Sequence, residues 1–356
     1  MALIRLTLSD FRNHAHTQLD DAREMNLLIG PNGAGKTNIL EALSLLAPGR
    51  GMRRATLADV VRKGADSFRI GARLQPREGG DPIQLGTAGE QGRRKVRING
   101  AEASAATLGE WLSVAWLTPA MDGLFTGPAQ DRRRFMDRLA FALDPTHAGH
   151  VTRYEAALRE RNRLLSDRAE PDGRWLDAIE AQMADAGALV AQGRERLVDA
   201  LMSEIVSQDE APFPRPALTL SSSGGRGTDA LSQTLHDNRR IDRAAQRTTQ
   251  GPHRDDLEVL YAARRMPAAL SSTGEQKALL IAITLAHAVL AAKGRASLLL
   301  LDEVAAHLDP NRRAALFERL RAAGAQVWIT GTERAPFSAL EDAACWRLDD
   351  GAATRL

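Results

Sequence analysis

Residues 30–37 read Gly30-Pro31-Asn32-Gly33-Ala34-Gly35-Lys36-Thr37, a complete phosphate-binding loop of the form G-x-x-x-x-G-K-[ST]. The loop follows an apolar run, residues 25–29, and precedes a helix-patterned run, residues 38–47. That strand, loop and helix order is the context in which the motif binds nucleotide. Backbone N–H groups would surround a triphosphate, Lys36 would reach its β- and γ-phosphates, and the Thr37 hydroxyl would hold Mg²⁺. The stretch therefore predicts an α/β nucleotide-binding fold.

The composition sets limits on the rest of the protein. A length of 356 residues allows two or three domains with a sizeable core. The sequence has no apolar run of about 20 residues and no signal-peptide pattern at its start, so we expect no membrane partner. A single cysteine, Cys345, excludes an intramolecular disulfide and favours a cytoplasmic location. Because the net charge is only +2, the position of charges must indicate any polyanionic partner.

A second part of the nucleotide site is predicted far downstream. The short apolar run 297–301 ends in Asp302-Glu303, as in a strand that carries a metal-binding carboxylate at its end. Asp302 would hold Mg²⁺, and Glu303 would orient and deprotonate the attacking water. An apolar run that ends in two acids is common, and the alternative is a strand that simply ends in solvent. The flanking segments therefore have to support the assignment.

One such flanking segment is Ser272-Thr273-Gly274-Glu275-Gln276, which precedes a helical run to about Lys293. Ser272 is a predicted N-cap, so its hydroxyl and the first backbone N–H groups of the helix would face one anion. The alternative is an ordinary capped helix. Because the first loop already serves the phosphates, a second anion-binding helix start suggests use across a dimer.

Basic residues form two local clusters that are candidates for nucleic-acid contacts, although either could instead be a solvated face. The cluster nearer the C-terminus, at 93–97, lies on the last of three strand-like runs, 67–74, 82–85 and 93–98. The hairpin-turn pair Asn99-Gly100 closes this last run. A further arginine, Arg12, lies in a polar loop and is a candidate for a phosphate contact. The first cluster is Arg50, Arg53, Arg54, Arg62 and Lys63, and the second is Arg93, Arg94, Lys95 and Arg97.

A helical segment separates the two halves of the predicted site. Apolar residues recur at helical spacing from residue 129 to about 208, with a break at Glu170-Pro171-Asp172-Gly173 that predicts two long antiparallel helices. The segment has no catalytic cluster of its own, so we interpret it as an arm inserted into the nucleotide-binding domain. The predicted domains are the N-terminal part of the head (1–126), the arm (127–248) and the C-terminal part of the head (249–356).

The order of these motifs resembles the ATP-binding-cassette ATPases, most of all their SMC-like, chromosome-maintenance branch, and within it a family of bacterial recombination mediators. The match spans nearly the whole chain, and its most specific part is Gly-Pro-His-Arg-Asp-Asp at 251–256. The residues that carry it are Leu8 to Asn13, Gly30 to Asn38, Arg132 to Asp137, Arg161 to Leu165, Gly251 to Leu257 and Ser272 to Lys277.

The resemblance implies a slow, DNA-stimulated ATPase with Mg²⁺ that forms a homodimer on ATP and binds single-stranded and gapped DNA. It also implies partner recombination mediators of the same pathway and roles in DNA repair, replication, recombination and the SOS response. Lys36, Asp302 and Glu303 would be catalytic, and Thr37 and Asp302 would hold the metal. The implied nucleotide contacts are Gly30, Pro31, Asn32, Gly33, Ala34, Gly35, Lys36, Thr37, Asn38, Arg12, Ser272, Gly274 and Asp309, and the implied DNA contacts are Arg53, Arg54, Lys63, Arg93 and Arg94.

Two departures from the family pattern concern hydrolysis. The glutamine that many cassette ATPases carry where Thr118-Pro119 lies is absent. The histidine that usually follows the last strand is replaced around Thr330-Gly331-Thr332. Slow turnover is therefore expected.

Other protein classes share the ATPase motifs. A transporter ATPase would need a short helical subdomain that couples to a membrane protein, and a nuclease-linked defence ATPase would need a further acidic domain. An SMC-like chromosome organiser would need a longer arm, since about 80 residues in two helices reach only about 50 Å at 1.5 Å per residue. We favour a DNA-binding repair ATPase.

Overall fold

A computed structural model describes residues 1–76, 79–90, 92–167, 172–208, 212–292, 295–305 and 308–356. The chain divides into two compact units. The head unit comprises Met1–Asp122, Glu210–Phe213 and Leu280–Leu356, and the arm unit comprises Gly123–Asp209 and Pro214–Leu279. Residues 249–279, which sequence analysis assigned to the head, thus group with the arm unit. The division into functional domains at 126 and 248 stays a prediction.

The chain contains both strands and helices, as predicted for an α/β protein. The strands are β1 (Ala2–Phe11), β2 (His14–Asp20), β3 (Met25–Ile29), β4 (Ser67–Gln75), β5 (Ile83–Glu90), β6 (Arg93–Ile98), β7 (Ala101–Ala103), β8 (Leu112–Leu117), β9 (Pro216–Ser221), β10 (Asp256–Tyr261), β11 (Met266–Pro267), β12 (Ala296–Leu301), β13 (Gln326–Gly331), β14 (Ala344–Asp349) and β15 (Ala352–Arg355). The helices are α1 (Lys36–Ser44), α2 (Leu57–Val60), α3 (Leu108–Trp111), α4 (Ala129–Leu143), α5 (Thr146–Ser166), α6 (Gly173–Ser207), α7 (Thr228–Asp237), α8 (Arg239–Ala244), α9 (Thr273–Ala291) and α10 (Pro310–Ala322).

A mostly parallel sheet forms the centre of the head unit. Its strand order is β15-β14-β3-β13-β12-β8, and the pairs from β14 to β8 are parallel. Every residue of β3, β8, β12 and β13 is buried, as expected for parallel strands covered on both faces. The ends of β3, β12 and β13 therefore meet at one edge, where α/β proteins build their ligand sites.

A second, antiparallel sheet has the strand order β2-β1-β4-β5-β6-β7. Side chains alternate along its strands, so one face joins the core of the head unit and the other meets solvent. The three predicted strands are present as β4, β5 and β6, although β5 extends to Glu90, five residues beyond the predicted end at 85. The turn after β6 is also confirmed, since Asn99 and Gly100 both have positive φ (49° and 84°), as a tight two-residue hairpin requires.

The arm unit is mostly helical and contains the three-stranded sheet β11-β10-β9. The helical run predicted before the break is divided at Asp144-Pro145 into α4, with 15 residues, and α5, with 21 residues, whereas the run after the break is the single helix α6, with 35 residues. Of the predicted break between them, Glu170 and Pro171 lie outside the described residues. Asp172 caps α6, because its carboxylate accepts a hydrogen bond from the Arg174 N–H at 2.9 Å.

Among the described residues, one helix, α9, is long and apolar enough to span a membrane by length and composition alone. However, 72% of its apolar window is buried inside the protein, and core helices have the same composition.

The specific motif at 251–256 forms part of a buried ion-pair network in the arm unit. Arg194, on α6, makes two hydrogen bonds of 2.9 Å to the Asp137 carboxylate and one of 3.0 Å to Asp255. Asp137 also contacts His147 at 3.0 Å. Ion pairing with Arg194 lowers the Asp137 pKa although burial acts in the opposite direction. The network joins α4, α5 and α6 to the motif through Asp255, which therefore has a structural role.

Loss of Arg194 should strongly destabilise the arm unit. Arg194→Met leaves the carboxylates of Asp137 and Asp255 buried without their guanidinium partner, which should cost about 3 to 5 kcal/mol in urea unfolding. Arg196→Met is the matched control on the same helix, because its pair with Asp144 is exposed and should contribute less than about 1 kcal/mol. Equal unfolding free energies for the two variants would contradict this assignment.

Candidate nucleotide site

The phosphate-binding loop connects β3 to α1, as predicted. Gly35 has a φ of 104°, in the left-handed region that favours glycine, and α1 begins at the next residue. At Gly30 glycine is needed because the backbone of Leu348 passes close by. A Cβ on residue 30 would lie 2.3 Å from the Leu348 carbonyl oxygen. Both glycines are therefore required by the conformation that opens the backbone N–H groups toward a ligand.

Contacts from two other segments hold this loop in place. His14 is fully buried, with Nε2 3.2 Å from the Gly35 carbonyl oxygen and Nδ1 2.8 Å from that of Gly351. The Gly351 N–H donates to the Ala34 carbonyl at 3.1 Å. Burial lowers the pKa of His14, which favours the neutral imidazole. Sequence analysis included His14 in the polar loop 10–14 but gave it no role in the site.

Lys36 lies inside the curve of the loop. Its Nζ donates to the carbonyl oxygens of Gly30 (2.6 Å) and Pro31 (2.9 Å), and the residue is only 4% exposed. Burial lowers its pKa, whereas the charges of Glu303 and Asp302 act in the opposite direction. The amine is thus held beside both predicted acids.

Asp302 follows β12 and meets the loop helix, as predicted. Its Oδ1 accepts a hydrogen bond from the Thr37 hydroxyl at 2.9 Å and a second from the Thr330 hydroxyl at 2.8 Å. A hydroxyl and a carboxylate, both hard oxygen donors, are the ligands that Mg²⁺ takes in such sites. The residues present therefore fit the ion, which Thr37 and Asp302 would hold.

Glu303 is partly exposed beside this pair. Its backbone has a φ of 53°, uncommon for a residue with a side chain, and its N–H donates to the Thr330 Oγ1 at 2.9 Å. Thr330 was named at the sequence level only as part of the segment that replaces a histidine. The signal available was its position at the end of β13, the strand next to β12.

Arg12 lies beside α1, but its guanidinium contacts Glu41 through two hydrogen bonds of 2.7 and 2.9 Å. Glu41 is 2% exposed and also accepts a 3.0 Å bond from Arg53, which in turn donates to Asn38 at 2.7 Å. A phosphate contact by Arg12 stays a prediction and would require its guanidinium to leave Glu41. Sequence analysis missed Glu41, since its two arginine partners are distant in the chain.

Three further predicted contacts lie at helix starts. Asp309 caps α10, where its carboxylate accepts from the Arg312 N–H at 3.0 Å, and the neighbouring Ala306 and His307 lie outside the described residues. Ser272 precedes α9 in the arm unit and forms the predicted N-cap, with the Glu275 carboxylate accepting its N–H at 2.9 Å. Gly274 is exposed in the first turn. Their nucleotide contacts stay predictions.

Arg94 was predicted to contact DNA, and the structure contradicts this prediction. Its side chain points to the interior, donates to Thr87 at 2.9 Å and to the carbonyls of Gly49 and Ala47 at 2.7 and 3.1 Å, and also contacts Leu45. Burial lowers its pKa to about 10. Because its donors hold the segment after α1, we remove Arg94 from the DNA surface. Four other predicted contacts are exposed: Arg53, Arg54, Lys63 and Arg93.

The solvent face of the antiparallel sheet, here called the outer sheet face, is rich in basic residues. Strand register places six cations and three acids on it, a net charge of +3 (6 − 3), compared with +2 for the whole chain. A groove of about 470 Å³ crosses this face, with Gly71, Gly86 and Ala88 among its small lining residues. The cations are Arg5, Arg69, Arg73, Arg93, Lys95 and Arg97, and the acids are Asp20, Glu90 and Glu102.

Comparison with known proteins agrees with the fold and the motifs. A family model described as the RecF/RecN/SMC N terminal domain matches residues 2–348. The chain is 50% identical over 354 residues to the DNA replication and repair protein RecF of Mesorhizobium japonicum, covering 94% of this chain and 93% of that protein. It is 47% identical over 358 residues to the same-named protein of Rhizobium meliloti, covering 96% and 95%.

Solved structures support the predicted fold class. A structure of the recombination mediator protein RecF with ATP aligns with a TM-score of 0.88 at 23% identity, covering 100% of this chain and 97% of that chain. The Smc head domain of Pyrococcus furiosus aligns with a TM-score of 0.56 at 14% identity, covering 100% and 96%. The head with an inserted arm is therefore confirmed as the SMC-type α/β fold, and this chain belongs to the RecF family.

Proposed function

We propose that this protein binds and hydrolyses ATP and uses the ATP state to bind DNA during DNA replication and repair. The observation that carries the proposal is the 2.9 Å hydrogen bond between Thr37 and Asp302, which joins the phosphate-binding loop to the carboxylate after β12. Relatives nearly as long as this chain are named DNA replication and repair proteins, which supports the cellular role.

The proposed chemistry follows from the arrangement of these side chains. Backbone N–H groups of the loop and Lys36 bind the phosphates, and Thr37 and Asp302 would hold Mg²⁺. The bound ion would neutralise charge on the β- and γ-phosphate oxygens. Glu303, next to Asp302 and partly exposed, orients the attacking water and takes its proton.

Slow hydrolysis is part of the proposal. A Cβ on Gly331 would lie 2.4 Å from a ring carbon of Phe337, so no side chain can extend from this residue, which belongs to the segment Thr330-Gly331-Thr332 that replaces the histidine of related ATPases. The site therefore lacks a γ-phosphate sensor from this position, and the proposed function needs an ATP-bound state that persists rather than rapid turnover.

In this proposal the protein forms a homodimer when it binds ATP. The dimer binds single-stranded and gapped DNA and works with further mediator proteins of the same pathway. The cellular processes are recombination and the SOS response. Ser272, Gly274 and Asp309 would complete the nucleotide site across the dimer. The longest helix, α6, has 35 residues and spans about 50 Å, which favours a compact DNA-repair ATPase over an SMC-like protein that encircles DNA.

The outer sheet face supports the DNA-binding part of the proposal. Arg69 on β4, and Lys95 and Arg97 on β6, line the groove, whose floor of small residues admits close approach of a phosphate backbone. Lys95 pairs with Glu90 at 2.8 Å. Arg93, on this face, and Arg53, Arg54 and Lys63, outside it, stay predicted contacts.

Glu303→Gln should separate ATP binding from hydrolysis. Removing the proposed base should lower turnover on the order of 10²- to 10⁴-fold, while ATP affinity stays within about threefold. An ATP-bound dimer should then accumulate in size-exclusion chromatography. Glu318→Gln, an exposed residue of α10, is the control and should hydrolyse normally. Unchanged phosphate release in Glu303→Gln would refute the role of Glu303.

DNA affinity should be electrostatic and should depend on the outer sheet face. Arg69→Glu with Arg97→Glu should weaken binding to gapped DNA in the presence of ATP and reduce the salt slope by about one unit for each phosphate that is no longer neutralised. Arg313→Glu with Arg321→Glu on α10 changes the net charge equally and should have little effect. An unchanged affinity and slope in the first pair would place the DNA on another surface.

Ser272→Arg tests the shared nucleotide site. The bulky cation should leave ATP binding by the monomer intact but prevent ATP-dependent dimerisation and hydrolysis. Lys36→Met should lose ATP binding, because it removes a charge-assisted contact to the phosphates. A mixture of the two variants can assemble one site from the intact Lys36 and the intact Ser272, so hydrolysis should partly recover. Normal turnover by monomeric Ser272→Arg would exclude a shared site.

A further inference from the structure

The hydroxyl of Thr330 connects the two acids of the nucleotide site. Its Oγ1 donates to Asp302 Oδ1 at 2.8 Å and accepts the backbone N–H of Glu303 at 2.9 Å. Thr330 is 1% exposed, so water cannot easily replace these bonds. A single buried oxygen therefore fixes the carboxylate of one acid and the main chain of the next.

The hydrogen bond from Glu303 to Thr330 matters because the Glu303 backbone has an unusual conformation. A φ of 53° is a sparsely populated conformation for a non-glycine residue, and such conformations persist where surrounding groups hold them. The hydrogen bond to Thr330 is one such restraint. The φ angle sets the direction of the Cα–Cβ bond. Loss of the hydrogen bond to Thr330 would therefore also redirect the Glu303 carboxylate.

The end of β13 offers no other side chain for this purpose among the described residues. The next residue, Gly331, is the last of the strand, and a Cβ on it would lie 2.4 Å from the Phe337 ring. Phe337 is itself 3% exposed, so the ring cannot readily yield the space. Thr330 is thus the last position of β13 that can act on the site.

We propose that Thr330 is a positioning residue for ATP hydrolysis. Its hydroxyl holds Oδ1 of Asp302 and the backbone of Glu303, and thereby aims the Glu303 carboxylate at the attacking water. Thr330 acts through these two acids, so the inference rests on the roles proposed for them above.

Thr330→Val tests the inference, since valine keeps the branched shape and removes the oxygen. We expect kcat to fall on the order of 10- to 100-fold, because the Glu303 N–H loses its acceptor and the Asp302 carboxylate loses a donor. The affinity for ATP with Mg²⁺, measured by nucleotide titration, should change less than about threefold. Thr330→Ser keeps the oxygen and should retain kcat within about threefold of the unmodified protein.

Thr284→Val is the matched control. Thr284 is also buried, and its hydroxyl donates to the Leu280 carbonyl within α9 at 2.8 Å, away from both acids. This variant should keep its kcat even if its urea unfolding midpoint changes. Should Thr330→Val fail to fold, Thr330→Ala removes the same oxygen with a smaller side chain and is judged by the same criteria.

Three results would overturn the inference: a kcat of the valine variant close to that of the unmodified protein, a serine variant as impaired as the valine variant, or an ATP affinity that falls in parallel with kcat. Glu303→Gln separates this from the proposed function. If Glu303→Gln is inactive and Thr330→Val is active, only the inference fails. If Glu303→Gln hydrolyses ATP normally, the proposed role of Glu303 fails and the inference fails with it.

Discussion

The nucleotide site depends on one buried carboxylate. Asp302 is 7% exposed, and its Oδ1 accepts hydrogen bonds from Thr37, at the start of α1, and from Thr330, near the end of β13. A buried charge is tolerated only when hydrogen bonds or counter-charges compensate for lost water. The two hydroxyls therefore stabilise Asp302, and Asp302 in turn fixes the relative positions of the three strand ends that form the site.

The phosphate-binding loop is pre-organised by packing as well as by its own sequence. His14 touches the carbonyls of Gly35 and Gly351, and a Cβ on Gly351 would lie 2.3 Å from the Asn13 carbonyl oxygen. The hairpins β1–β2 and β14–β15 thus support the loop at contact distance. A loop held in this way loses little conformational entropy on binding phosphate, which is the benefit of such packing.

Local patterns predicted much of this structure, and long-range contacts account for what they missed. The loop, the β12 carboxylate and the turn at Asn99-Gly100 each depend on a few adjacent residues. The inward direction of Arg94 could also have been predicted, because it alternates with Arg93 and Lys95 and shares a face with the buried Val96. By contrast, the Glu41 contacts with Arg12 and Arg53 join residues 29 and 12 positions apart, and no local periodicity indicates them.

The abundance of arginine explains why basic clusters in this sequence were weak guides to function. Arg161 is fully buried with Glu180 and Asp242, Arg194 holds Asp137, and Arg94 holds carbonyl oxygens, so these guanidiniums stabilise the fold. What distinguishes a candidate phosphate-binding arginine is its place on a solvent face. Arg69 meets this condition, because it is exposed and pairs in register with Ser9 and Ala88. The face on which an arginine lies therefore separates structural arginines from candidate phosphate-binding ones where local charge density does not.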